Sequence, residues 1–363
     1  MDGTSRAPRL LAVAVAGVTA LSISTIASSS PASIAKGGPS LAQLIKKSKS
    51  EKGLVVYGNP PGRNWSALAD KFQAKYPWIK TTEYDLEDNT IFSKYGAEAA
   101  QGSRTADLLI ASAPNLWIYA HRKGYAANYV PAGLKNFPSF VRALQGIYVM
   151  SPDPAVIFWN KLLLGSTRPN SVTSIANDSS KYNSVTGYTV DNTFGYTALY
   201  GYVQLKGWAA LQKIGKRLKA QTGVAGQRTL VSQGGAKVAI LSSPTIRLNI
   251  ETDPNLGKIL DWSYIKDGEP LVPRGIAITK KASSPASAKL FLNFIYSKQG
   301  QQAMCEAGFT AFMKGFKPSG GCKNTLDAVY KAVGKKNVYL VRPVTKFINA
   351  RPKFAARWHG IFG

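Results

Sequence analysis

From Leu54 onward, apolar positions switch between strand-like runs and helix-like spacing. Leu54-Val55-Val56-Tyr57 is a short apolar run, ended by the turn-forming Gly58-Asn59-Pro60-Pro61-Gly62. Trp65, Leu68, Ala69 and Phe72 then recur at helical spacing, predicting a helix that Asn64 can cap and Tyr76-Pro77 ends. Residues 79–84 read as the next strand, 90–100 as a helix and 107–110 as a buried strand. That order implies a parallel sheet with helices on both faces. Further strands are expected at 155–159, 188–190, 237–241 (KVAIL) and 275–278, with 197–218 broadly helical. Residues 285–304 read as one long amphipathic helix with a proline in its first turn. From Asn324 the pattern is helix, short strand, helix. Breaks at Ser151-Pro152-Asp153-Pro154 and Glu269-Pro270 divide the chain into two α/β lobes.

A length of 363 residues suits two such lobes of roughly 150 residues each. The first segment reads differently. Arg6 and Arg9 precede the apolar stretch Leu10–Leu21, and small residues end at Ala27 and again at Ala35. This is the pattern of a secretory signal peptide over 1–27, with cleavage as late as 35; an uncleaved anchor is the alternative. The mature protein is therefore expected to be periplasmic or secreted. Two cysteines exclude a disulfide-rich scaffold or zinc ribbon. In an oxidising compartment Cys305 and Cys322 would close a short loop as a disulfide; two separate thiols is the other reading. His121 and His359 belong to no H-E-x-x-H pattern, so no metal site is expected.

Several stretches together resemble the bacterial extracellular solute-binding proteins of ABC transporters, in the subgroup with ferric-iron, thiamine and aminoethylphosphonate binders. GLVVYGNPPGRNWSALADKFQAKYP is similar to that family's first strand, ligand loop and helix. TADLLIASAPNLWIYAHRKGYAANY resembles its second landmark, AVIFWNKLLL the strand crossing into lobe two, and VPRGIAITKKASSPASAKLFLNFIYSKQGQQAMCEAGF the return strand and following helix. The resemblance runs to AARWHGIF. It implies a two-lobed type 2 periplasmic-binding fold, with hinge strands and a central interlobe cleft. The expected division is 28–53 leader and first helix, 54–150 lobe one, 151–154 hinge crossing, 155–270 lobe two, and 271–363 the return to lobe one with the C-terminal helices. The implied activity is binding, not catalysis, with no cofactor. The implied partners are a small-molecule solute and a membrane permease, and the protein is expected to be a monomer.

In such a fold, ligands bind beyond the carboxyl ends of strands and hinge closure buries them. In the first loop, Asn59, Arg63 and Asn64 are candidates: Arg63 as a forked partner for a carboxylate or phosphonate, or as a solvated turn arginine. Ser112 and Asn115 follow at the next strand end, where Ser112 is either a ligand hydroxyl or an N-cap. Asn192, Thr193 and Tyr196 represent lobe two, with Tyr200 and Tyr202 assigned to helix packing. Ser243 and Arg247 follow the KVAIL strand, and Arg274 lies near the hinge; both arginines read as ligand groups or surface charges. Ferric-binding relatives place two adjacent tyrosines in the loop after KVAIL, whereas this chain has Thr245-Ile246. Hard Fe³⁺ needs anionic oxygen ligands, so a ferric ion, held by Tyr196 and other tyrosines, ranks behind a polar, anionic organic solute.

Forty-six Lys and Arg against nineteen Asp and Glu give a formal charge of +27, with residues 301–363 contributing +9. No nucleic-acid motif accompanies the charge, so no nucleic-acid partner is expected. The excess favours solubility, attraction to an anionic envelope or steering of anionic solutes. Asp85, Glu87 and Asp88 form an acidic cluster at a strand end, read as solvated surface. An exported enzyme on the same fold would need a tuned acid, base or nucleophile, and none is convincingly placed.

Overall fold

The computed structural model describes residues 38–363. The apolar N-terminal stretch and its two cleavage positions lie outside the described residues. Within them, strands β1 (Leu54–Gly58), β2 (Thr81–Asp85), β3 (Leu108–Ala111), β4 (Arg142–Leu144) and β5 (Ile147–Pro154) belong to a first sheet. Strands β6 (Val156–Asn160), β7 (Val185–Tyr188), β8 (Leu218–Gln221), β9 (Val238–Ser242) and β10 (Leu260–Tyr264) form a second. Strands β11 (Glu269–Ile278) and β12 (Val338–Leu340) return to the first. The first sheet runs β2-β1-β3-β11-β5-β4, with β12 beside β11, and the second runs β10-β6-β9-β7-β8. Among the described residues, β1 is parallel to β2 and β3, while β11 is antiparallel to β3 and β5. Each sheet is thus mixed rather than purely parallel.

One residue, Ala155, separates β5 from β6, so a nearly continuous extended segment passes from one sheet to the other. The return strand β11 lies against this crossing: Leu271 pairs with Pro154, and the Ala155 N–H donates to the Pro270 carbonyl at 3.0 Å. Two paired crossing strands make a hinge between two α/β lobes. The sequence pattern places a break at Pro152 and Pro154; the structure instead runs β5 through both. β4 pairs only with Ile147 and Tyr148, so beyond them one edge of β5 needs no N–H partner, and proline is tolerated on such an edge.

In lobe one, Trp65, Leu68 and Phe72 line the buried face of the helix Gly62–Lys75. Phe72 meets Phe291 edge-on at 4.9 Å and Phe294 at 5.6 Å. Full burial of each such ring stabilises by about 1.5–3 kcal/mol. Asn64 is not the cap: the helix starts at Gly62 after Pro61, and the Asn64 amide donates to the Ala307 carbonyl at 2.8 Å. The single helix expected over 285–304 is two, Pro285–Ile295 and Lys298–Glu306, with the Ser297 hydroxyl capping the second. The span 197–218 is likewise two helices, Thr193–Lys206 and Ala209–Ile214, before β8. The C-terminal helix Thr345–Phe362 buries Phe347, Phe354 and Trp358 against lobe two, with Phe354 4.5 Å from Trp208. A Cys305–Cys322 disulfide closes the loop after Glu306. Among the described residues, no helix is long and apolar enough to cross a membrane.

Candidate functional site

A cavity of about 590 Å³ opens between the lobes at the ends of the central strands. Lobe one contributes Asn59, Arg63, Ser112 and the segment Asp85–Asp88; lobe two contributes Tyr188, Asn192, Thr222–Ala225, Arg228, Ser243 and Thr245; Arg274 comes from the hinge strand β11.

Two irregularities aim its walls. Along β5 and β11 the register slips between Arg274 and Gly275, which face Ser151 and Val149 and leave Met150 unpaired. Such a bulge rotates the strand locally, and Arg274 emerges into the cavity. Gly275 is required beside it, because an added Cβ would sit 2.2 Å from the indole nitrogen of Trp117. On β9, Val156 and Phe158 of β6 face Ser242 and Ala239, so Ile240 and Leu241 together oppose Ile157. Leu241 adopts a left-handed φ of 52°, a conformation costing about 1–3 kcal/mol for a non-glycine residue. This bent strand end sends Ser243 and Thr245 into the cavity.

Arg274 is not a free ligand cation. Its Nε donates to Asp153 Oδ2 at 3.0 Å in a buried ion pair, and its Nη1 donates to Asn59 Oδ1 at 2.7 Å. Asp153 also accepts from the Ser151 hydroxyl, which accepts in turn from the Thr310 N–H at 2.8 Å. Asn59 passes the connection on, its amide donating to Asp88 Oδ1 at 2.6 Å. A buried chain of polar contacts therefore joins both hinge strands to the cavity wall.

The carboxylates lining the cavity all lie on lobe one, beside Arg63. Asp85, Glu87 and Asp88 line the lobe-one lip, so the acidic cluster read as solvated surface belongs to the site. Burial pushes the Asp88 carboxyl up to about 6, against the pull of Arg274 and a contact from the Thr193 hydroxyl. Opposite them, the helix Val224–Ser232 begins at Gly223 with no side-chain cap, and Arg228 lies one turn further along it. Its first N–H groups and Arg228 make that lip positive. Arg63 donates to the Thr252 hydroxyl at 2.8 Å, bridging the lobes at the cavity mouth. Ser112 is buried and its hydroxyl has no partner. It is not an N-cap, because the next helix is capped at Ala113.

Of the candidates from the sequence, Asn59, Arg63, Ser112, Asn192, Ser243 and Arg274 line the cavity, and Thr193 touches it through Asp88. Asn64, Asn115, Tyr196 and Arg247 do not line it. Tyr196 is fully buried, donates to the Phe347 carbonyl at 2.6 Å and stacks on that ring at 4.8 Å. Arg247 is also fully buried: its Nη1 donates to Tyr264 Oη at 3.0 Å and its Nε to the Pro244 carbonyl at 3.2 Å, with Trp262 stacked 5.0 Å away. Asn115 has a buried, unpartnered carbonyl oxygen outside the cavity. A ferric site built on Tyr196 therefore has no support: Thr245 and Ile246 stand in the cavity, and its tyrosine is Tyr188, whose phenol burial pushes up, away from the phenolate. Tyr188 and Arg228 are lining residues that the sequence did not mark, and Asp88 is one that it assigned to solvated surface.

The fold agrees with that of related proteins. The profile of the bacterial extracellular solute-binding proteins matches residues 67–326, and the chain belongs to that family. It is the substrate-binding component of an ABC transporter. No curated protein sequence matches it significantly. Among solved structures it is similar to a substrate-binding protein of an ABC transporter from Agrobacterium tumefaciens, at 19% identity and a TM-score of 0.73, covering 85% of this chain and 95% of that one. It is also similar to iron-bound HitA from Pseudomonas aeruginosa, at 16% identity and a TM-score of 0.66, covering 85% and 99%. AfuA from Actinobacillus pleuropneumoniae, bound to fructose-6-phosphate, matches at 18% identity and a TM-score of 0.65, covering 85% and 98%.

Proposed function

We propose that the cleft captures a small polar organic solute with an anionic group at one end and a cationic nitrogen at the other, and delivers it to the membrane permease of its transporter. The observation that carries this reading is the opposition of Asp85, Glu87 and Asp88 on one lip to Arg228 and the uncapped N-terminus of Val224–Ser232 on the other. An anion alone would leave the acidic lip facing like charge, and a cation alone would leave Arg228 unpaired. Ser112, Asn192 and Ser243 supply neutral hydrogen bonds, and Tyr188 and Phe194 supply apolar wall. The known relatives bracket the choice, since AfuA is bound to a sugar phosphate and HitA to iron.

Native mass spectrometry of the gently purified protein would weigh any retained solute. A thermal-shift series would follow, with O-phosphoethanolamine as zwitterionic probe and ethyl phosphate and ethylamine as its halves. A bound ligand at ~100 times its dissociation constant adds about 2.7 kcal/mol of stability. The expected outcome is a shift with the zwitterion larger than with either half, reduced by Asp88→Asn and by Arg228→Gln. A retained iron atom, or equal shifts with ethyl phosphate and with the zwitterion, would sink this reading.

A further inference from the structure

Residues 328–363 carry Lys331, Lys335, Lys336, Arg342, Lys346, Arg351, Lys353 and Arg357 and not one Asp or Glu. Seven of these eight are exposed; Arg351 alone turns inward, donating to the Asp191 carbonyl at 2.9 Å with its guanidinium 5.4 Å from the Tyr196 ring. Among the described residues, none of the seven has a carboxylate within 4.0 Å.

Three of them are ordered into a stripe. In the helix Thr345–Phe362, the positions of Lys346, Lys353 and Arg357 are spaced by seven and four residues. At 100° per residue they fall within ~40° of one another around the axis. The neighbouring stripe of Phe347, Phe354 and Trp358 is buried against lobe two, which fixes the basic stripe outward. Arg357 is held there by the Trp208 ring, 4.9 Å away. The other exposed positions between Lys346 and Arg357 are Asn349, Pro352 and Ala356, all uncharged.

We propose that this C-terminal face docks the protein on an anionic lipid surface. Unpaired cations presented together on a rigid helix sum their attraction within a Debye length of ~8 Å, whereas dispersed charge is screened. The stripe has no exposed aromatic residue to stack on bases, unlike single-strand nucleic-acid grooves. Docking there would confine the receptor to the membrane that holds its permease, and it requires nothing of the solute cleft.

The test is co-sedimentation of the protein from residue 36 onward, without the apolar stretch Leu10–Leu21, with vesicles of 7:3 phosphatidylcholine and phosphatidylglycerol, against pure phosphatidylcholine. K346Q/K353Q/R357Q is compared with K46Q/K47Q/K52Q, which removes the same charge from exposed positions in and after the first helix. Circular dichroism melting confirms that both variants fold. The expected result is binding to the anionic vesicles only, abolished at 0.5 M salt. The C-terminal variant should weaken it on the order of tenfold or more, and the control variant less than about threefold. Equal losses in the two variants would show diffuse charge instead and overturn the proposal. So would absence of binding by the unaltered protein, or a C-terminal effect on binding to soluble polyphosphate with none on vesicles.

Discussion

Glu83 lies on β2 opposite Val56, with its Oε1 buried and without a partner. Burial pushes its carboxyl up to about 8; Asp85 adds to the rise and Arg274 opposes it. The folded protein therefore holds a proton on Glu83 that an unfolded chain releases near its ordinary value of 4.5. Stability from this group is fully present below that ordinary value and is lost as pH rises through about 8. Because the residue is partly exposed, solvent screening limits the effect to a few degrees. The thermal midpoint should fall between pH 5 and pH 8.5, and Glu83→Gln should flatten that slope; an unchanged slope in the variant would assign the dependence elsewhere. The same scale explains why parts of the site were hard to read. Asn59, Ser112 and Ser243 were legible because they end strands before helices, where ligand loops lie. Asp88 opens one helix and Arg228 lies one turn into another, where charges are ordinarily solvated, and only the facing lobe makes them walls of a cavity. Tyr196 and Arg247 failed for the converse reason: a polar tip suggested a ligand, but the C-terminal helix covers one and Trp262 with Tyr264 the other.

Elements were legible where their apolar pattern was continuous. β1, β3 and β9 are short apolar runs buried along nearly their whole length, and their positions follow directly. β8 reads Leu-Lys-Ala-Gln and lies at a sheet edge paired only with β7, so it carries no such signal. The division of 285–304 turns on one glycine. A Cβ on Gly300 would lie 1.7 Å from the Phe294 carbonyl oxygen, so the backbone of the first helix occupies the space a side chain would need. Helical periodicity continues across the break, which is why pattern alone joins the two. Gly300→Ala should cost at least about 1–3 kcal/mol by urea denaturation, because backbone atoms cannot move aside as a side-chain tip can. Gly360→Ala, with nothing within 4 Å of its Cβ, should instead stabilise by up to about 1 kcal/mol. Similar values for the two would mean that the turn at Gly300 adapts and does not define the break.

At the scale of the whole molecule, the two sheets are joined by the crossing at Ala155 and the return along β11, with Arg274 and Asp153 buried between them. This pair is expensive to disrupt, since removing one partner leaves an uncompensated buried charge costing about 3–5 kcal/mol. It also lies on the chain of contacts that reaches Asp88 through Asn59, so the hinge and the acidic lip share one set of hydrogen bonds. Across the cleft the lobes meet through few polar contacts: Arg63 donates to the Thr252 hydroxyl, the Thr193 hydroxyl reaches Asp88, and Arg247 Nη2 donates to the Gly308 carbonyl at 3.4 Å. Each contact of this kind contributes about 1 kcal/mol, a small hold on two lobes joined by a hinge with no solute between them. The free protein should therefore populate an open arrangement, and ligand should shift it to the closed one. Spin labels at Ser66, on the exposed face of the Gly62–Lys75 helix, and at Asn255, across the mouth on lobe two, would report it. The expected distance distribution is broad or bimodal in the free protein and collapses to its shorter component on addition of the solute identified by mass spectrometry. Arg63→Ala should enlarge the open population without abolishing closure. A single narrow distance, unmoved by solute, would mean that the lobes form one rigid body and that the cleft fills without closing.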